Sequence, residues 1–217
     1  MDAINPRSRR KVVWGIKVAV AVLLSSFLFG GCGKAVRQGR GAADLVLEAL
    51  EGASGATPDE MSHTLASDVI TLVEVDEVKV PTIYEDPGRA QFRVVMKDIG
   101  GPSSVTSPSS NNWITLTRYR VVFLRADGRN TPGVDVPYPF DGAATQTITG
   151  AVTQMGFILV RAQAKNEAPL RALVGFGGAN LISTIAEVTF YGHDVAGNAV
   201  SVTGRMSVNF ADWGDPE

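Results

Sequence analysis

Val200-Ser-Val-Thr-Gly-Arg-Met-Ser-Val-Asn-Phe210 is the stretch that decides the fold. Val200, Val202, Gly204, Met206, Val208 and Phe210 fall on one side of an extended chain, and Ser201, Thr203, Arg205, Ser207 and Asn209 on the other, because successive strand side chains point to opposite faces. Apolar inward and polar outward at a period of two marks a half-buried antiparallel strand. Arg89 to Lys97 repeats the pattern, with Ala90, Phe92, Val94 and Met96 on one face. Trp113–Arg125, Thr145–Val152, Gly156–Lys165 and Leu181–Tyr191 read as further strands. Between Val69 and Val80 the apolar pattern slips phase, which predicts a strand with a bulge.

These seven or eight candidates are separated by turn signals: Asp86-Pro-Gly88, Asp127-Gly128, Thr131-Pro-Gly133, Asp141-Gly142 and Gly177-Gly178. No long helical pattern lies between them, which argues against parallel βαβ units. An antiparallel sheet with one apolar face has to bury it against a second sheet, so residues 64–217 are expected to form an all-β sandwich. A small barrel is the alternative.

Upstream, residues 1–31 have the three parts of an export signal. Arg7, Arg9, Arg10, Lys11 and Lys17 face a single acid, Asp2; Val18 to Phe29 follow without a charge; then come Gly30, Gly31 and Cys32. That 12-residue run is shorter than the ~20 residues of a membrane span. Cys32 is the one cysteine of 217 residues, so it has no partner within the chain. Two other readings stay open, an uncleaved anchor over 12–31 and a cleaved leader that leaves a free thiol.

Small Gly31 before Cys32 resembles the lipobox of bacterial lipoproteins. That resemblance implies cleavage between Gly31 and Cys32, a diacylglyceryl group on Cys32 and acylation of the new amine. Phe29 and Gly30 depart from the usual Leu and Ala or Ser of that motif. Two or three acyl chains hold a protein on a membrane where one binds only marginally, so the membrane partner would be reached through the covalent lipid alone. Gly33, where an inner-membrane retention signal would place Asp, points to the outer membrane. Residues 32–63 then form the lipidated cysteine and a tether, glycine-rich over 33–41, with 42–50 either a short helix or a strand.

The segment Val188 to Val202 resembles the final hairpin of bacterial immunoglobulin-like and fibronectin type III-like modules, whose last two strands join through an Asp-x-Ala-Gly-Asn turn, here Asp194, Ala196, Gly197 and Asn198. Thr117–Tyr138 and Phe210–Pro216 are similar to lipoproteins of environmental Gram-negative bacteria with no assigned activity. Together these imply an antiparallel immunoglobulin-like β-sandwich in the cell envelope, and they carry over no functional residues.

Without the leader's five basic residues and one acid, the chain has 15 basic against 21 acidic residues, a net of −6. Nucleic-acid binding requires the opposite balance. The two histidines, His63 and His193, lie 130 residues apart with no other soft ligand, which makes zinc improbable. Asp127, Asp135 and Asp141 lack the spacing of a calcium loop. No nucleophile with a neighbouring base is legible. The expectation is therefore no catalytic residue, no metal and no cofactor, with a runner-up hydrolase using those three loop carboxylates. Contact with an envelope protein or glycan would fall to the aromatic-bearing loops, through Trp113, Tyr138, Phe140 and Trp213, or to Arg118 and Arg120. The plainer reading makes the aromatics core-rim residues and pairs the arginines with acids on a neighbouring strand. A third class is an assembly subunit docking by strand addition.

Overall fold

A computed structural model describes residues 41–97 and 107–214; the leader, Gly31, Cys32 and tether residues 33–40 lie outside the described residues. The described chain is all-β. Its strands are β1 (Ala43–Gly52), β2 (Thr64–Asp68), β3 (Thr71–Val75), β4 (Val78–Thr82), β5 (Asp86–Met96), β6 (Ile114–Leu124), β7 (Phe140–Ile148), β8 (Thr153–Val160), β9 (Ile182–Asp194) and β10 (Ala199–Ala211). One short helix, α1 (Ala162–Asn166), follows β8, and a 3-10 turn covers Leu170–Leu173. Among the described residues, no helix is long and apolar enough to cross a membrane.

The strands form a three-stranded sheet in the order β1-β5-β8, a five-stranded sheet in the order β2-β10-β9-β6-β7, and the separate hairpin β3-β4. All pairings are antiparallel except β2 with β10, which run parallel at the edge of the larger sheet. The inward faces of the two larger sheets meet through aromatic rings. Phe92 of β5 and Phe157 of β8 lie 4.8 and 5.4 Å from Phe190 of β9, edge to face, and Tyr119 of β6 is 5.2 Å from Phe157. Such offset contacts add to area burial. Along β10 the even positions Met206, Val208 and Phe210 are buried, in the phase expected.

Four expectations change. Residues 42–50 resolve to strand β1, whose Leu45 and Leu50 join the core, so the domain begins near Ala43 and not at 64. A register shift between Leu47 and Ala49 explains the ambiguity: it skips Glu48 and spaces the inward leucines unevenly, which mimics a helix. The phase slip between Val69 and Val80 is a hairpin turn at Asp76-Glu77, not a bulge within one strand. β8 stops at Val160, where Ala162-Gln-Ala-Lys165, all good helix formers, take over. Finally, β7 begins at Phe140, where Asp141-Gly142 had read as a turn. Gly142 is needed there because a Cβ would lie 2.1 Å from Cζ of Tyr119.

Candidate functional site

The strand registers define two ends of the domain. At the near end stand Ala43 opposite Met96, Ile114 opposite both Ile148 and Asp194, and the β9–β10 turn. Gly41, the first described residue, lies beside Asp194 at this end. The far end holds Gly52 opposite Gly88, Asp86 opposite Val160, and Ala211 opposite Asp68. From it emerge the β3–β4 hairpin, the 125–139 loop and the 161–181 segment.

Exposed large apolar side chains gather at this far end. Val75, Val78 and Val80 stand on the hairpin, Val134 and Tyr138 on the 125–139 loop, and Val174, Phe176 and Leu181 on the last segment; the near-end loops expose Trp113, Val152 and Val195. The hairpin register pairs Val73 with Val80 and Val75 with Val78, which puts four valines on one face. Glu74 and Lys79 face each other on the opposite side. Between the paired valines, Asp76 and Glu77 take φ of 52° and 65°. A two-residue turn that matches the twist of its strands requires positive φ, which non-glycine residues resist. A cleft of about 480 Å³ runs along the hairpin past Ala56, Thr71, Leu72, Glu74, Lys79 and Tyr84.

Behind the hairpin's base lies a buried charge cluster that no motif announced. Asp86 is fully buried, and its Oδ1 accepts hydrogen bonds from Lys165 Nζ at 2.7 Å and from the Gly55 backbone N–H at 2.9 Å. Its Oδ2 accepts the Ser67 hydroxyl at 2.5 Å. Lys165 is 2 % exposed and borders a second cleft, of about 360 Å³, with Ile70, Ile83, Asn166, Arg171 and Val174. Burial pushes the Asp86 carboxyl upward, more than the attraction of Lys165 and the hydrogen bonds from Lys165, Ser67 and Gly55 lower it. Next along β2, Asp68 accepts the Thr71 hydroxyl at 2.9 Å and the Trp213 backbone N–H at 3.0 Å. Asp86 was legible only as a turn residue, yet it occupies the same alternate positions as buried Ala90, Phe92 and Val94. That phase was the available signal.

The candidate contact residues are divided by the fold. Trp113 is at the near end, 39 % exposed. Tyr138 is 52 % exposed at the far end, whereas Phe140 on the same loop's exit is buried, with the Arg161 guanidinium 4.3 Å above its ring. Trp213, also at the far end, is half-buried, and its indole Nε1 is shut off from solvent without a hydrogen-bond partner among the described residues. Arg118 and Arg120 converge on Asp141 of the neighbouring strand at 3.1 and 2.7 Å, and Arg118 also stacks 3.8 Å over Tyr191. Of the three loop acids, Asp127 is engaged by Arg125 and Arg129, Asp135 accepts the Thr131 N–H, and Asp141 serves the two β6 arginines. They do not converge on one site. Among the described residues, no group of three or more His, Cys, Asp or Glu could hold a metal ion.

No family model matches this chain, and no curated protein or solved structure matches it either.

Proposed function

We propose that this is a lipid-anchored cell-envelope protein, attached through Cys32 at the outer membrane, that acts as a non-catalytic binding module. One observation carries the reading: the exposed apolar side chains gather at the end of the domain opposite Gly41, nine residues after Cys32 in sequence. The chain enters the domain at its near end, so the far end is clear of the point where the tether joins. Loops and hairpins displayed on a rigid scaffold are the usual carriers of contact. The partner that suits the exposed valines Val75, Val78 and Val80 is an envelope protein with an apolar surface or strand, more than a glycan, which would call for aromatic faces with polar groups around them. The two facing sheets, with their Asp194–Asn198 hairpin turn, support an immunoglobulin-like sandwich as the scaffold, to which the parallel β2 edge is an addition.

Two measurements in the native host test this. Metabolic labelling with an alkyne palmitate should mark the wild type and not Cys32→Ala; label on neither overturns the anchor. A photo-crosslinking amino acid at Val78 should capture one discrete envelope protein, and the same group at Val195 should not. Equal capture at both positions, or none at Val78, overturns the far-end binding face.

A further inference from the structure

We propose that Lys165 and Asp86 condense within the folded domain, joining Lys165 Nζ to Asp86 Cγ in an intramolecular amide bond. The inference is independent of the membrane anchor. It starts from distance and dryness. The amine nitrogen lies 2.7 Å from a carboxyl oxygen, and the two side chains are 1 % and 0 % exposed. Removing both charges from water costs several kcal/mol for each ion, which the mutual attraction repays only in part. Attack by nitrogen requires one ammonium proton to pass first to the carboxylate oxygen 2.7 Å away. Burial raises the Asp86 carboxyl in the direction this transfer needs.

The remaining partners are arranged for the bond change. Ser67 donates to Oδ2 at 2.5 Å, so that oxygen can take the negative charge that develops when nitrogen attacks Cγ. Oδ1, nearest the amine and held by the Gly55 N–H, is the leaving oxygen. The step balances: the Nζ–Cγ bond forms, the Cγ–Oδ1 bond breaks, two protons from the amine and acid leave with Oδ1 as water, and one stays on the amide nitrogen. No oxidant or co-reactant is required. Fixed geometry of this kind raises intramolecular rates to effective molarities of roughly 10⁵–10⁸ M.

The bond would do what a disulfide does elsewhere. The chain has one cysteine and cannot staple itself through sulfur. Lys165 and Asp86 are 79 residues apart, so an amide between them closes a long loop, the kind of closure that restricts an unfolded chain most. It would fasten α1 to the start of β5 at the end that carries the hairpin.

Mass spectrometry on the full-length protein tests this. Trypsin should leave peptide 80–89 linked to peptide 162–171, lighter than their sum by one water, with no cleavage after Lys165. The linked species should disappear in Lys165→Met and in Asp86→Ala, and Ser67→Ala should leave most of the chain unlinked. Recovery from folded wild-type protein of peptide 80–89 free and at full mass, with 162–165 and 166–171 cut apart after Lys165, overturns the proposal, whatever the variants do. A linked species that persists in Lys165→Met also overturns it, because the bond would then lie elsewhere.

Discussion

The Tyr119 hydroxyl accepts a hydrogen bond from the Ile158 backbone N–H at 3.2 Å. A side chain of β6 in the larger sheet thereby satisfies a main-chain donor of β8 in the smaller one. Tyr119 is buried, and burial raises its hydroxyl pKa by more than the hydrogen bond from Ile158 lowers it, so the group accepts here as a neutral phenol. Tyr119→Phe keeps the ring and leaves the Ile158 donor unpaired, a loss of about 1–3 kcal/mol. Urea unfolding should show a lower midpoint at an unchanged slope. An unaltered midpoint would mean that water replaces the hydroxyl.

The same ring constrains Gly142. A Cβ there would sit 2.1–2.3 Å from three atoms of Tyr119, all belonging to a stiff aromatic side chain packed between the sheets. Gly142→Ala should therefore destabilise by about 1–3 kcal/mol through overpacking. Combining it with Tyr119→Ala should give less than the sum of the two losses, since the second change removes the obstacle. Strict additivity in that cycle would place the strain in the β7 backbone instead.

Asp68 supplies a pH dependence. Burial raises its pKa above the ordinary 3.8, against the hydrogen bonds from Thr71, Trp213 and Ile70 and the attraction of Lys165. Between the unfolded and folded values the folded protein holds a proton that the unfolded chain has released. Stability from this group therefore falls as pH rises through that window and is greatest below it. The stability of wild type relative to Asp68→Asn should accordingly increase as pH is lowered from neutral toward 3.8. A difference that stays flat with pH, or shrinks on acidification, would contradict the assignment.

The β3–β4 turn stores strain in two acidic residues at positive φ. Glu77→Gly should relieve about 1 kcal/mol, since left-handed backbone costs a non-glycine residue roughly 1–2 kcal/mol. Amide hydrogen exchange across Thr71–Thr82 should slow in the variant while the β9–β10 amides stay as they were. Faster exchange in the hairpin would show that the turn side chains contribute contacts of their own.

The sequence made particular strands plain and hid others for definable reasons. β10 and β5 were legible because each has one face in the core and one in solvent, so polarity alternates at the period of the backbone. β1 was not, because its bulge at Glu48 breaks that period. β7 was obscured by Asp141-Gly142, which reads as a turn, although the Tyr119 ring requires Gly142 inside the strand. Arg118 and Arg120 were correctly expected to share a face, yet only strand pairing could show that one acid, Asp141, serves both.

Alternation, turn chemistry and the absence of long helical periods determined by themselves that the described domain is all-β, since those are properties of neighbouring residues. The tertiary structure alone decided what is near what. Trp113 and Tyr138 went to opposite ends, Phe140 turned into the core, and three exposed valines of one hairpin came to share a face with half-buried Val73. Ser67, Asp86 and Lys165 are separated by 19 and 79 residues and converge only because β2, β5 and α1 end at the same place. Local pattern records which way a side chain points, whereas the partner it meets depends on long-range pairing between strands, which no local pattern encodes.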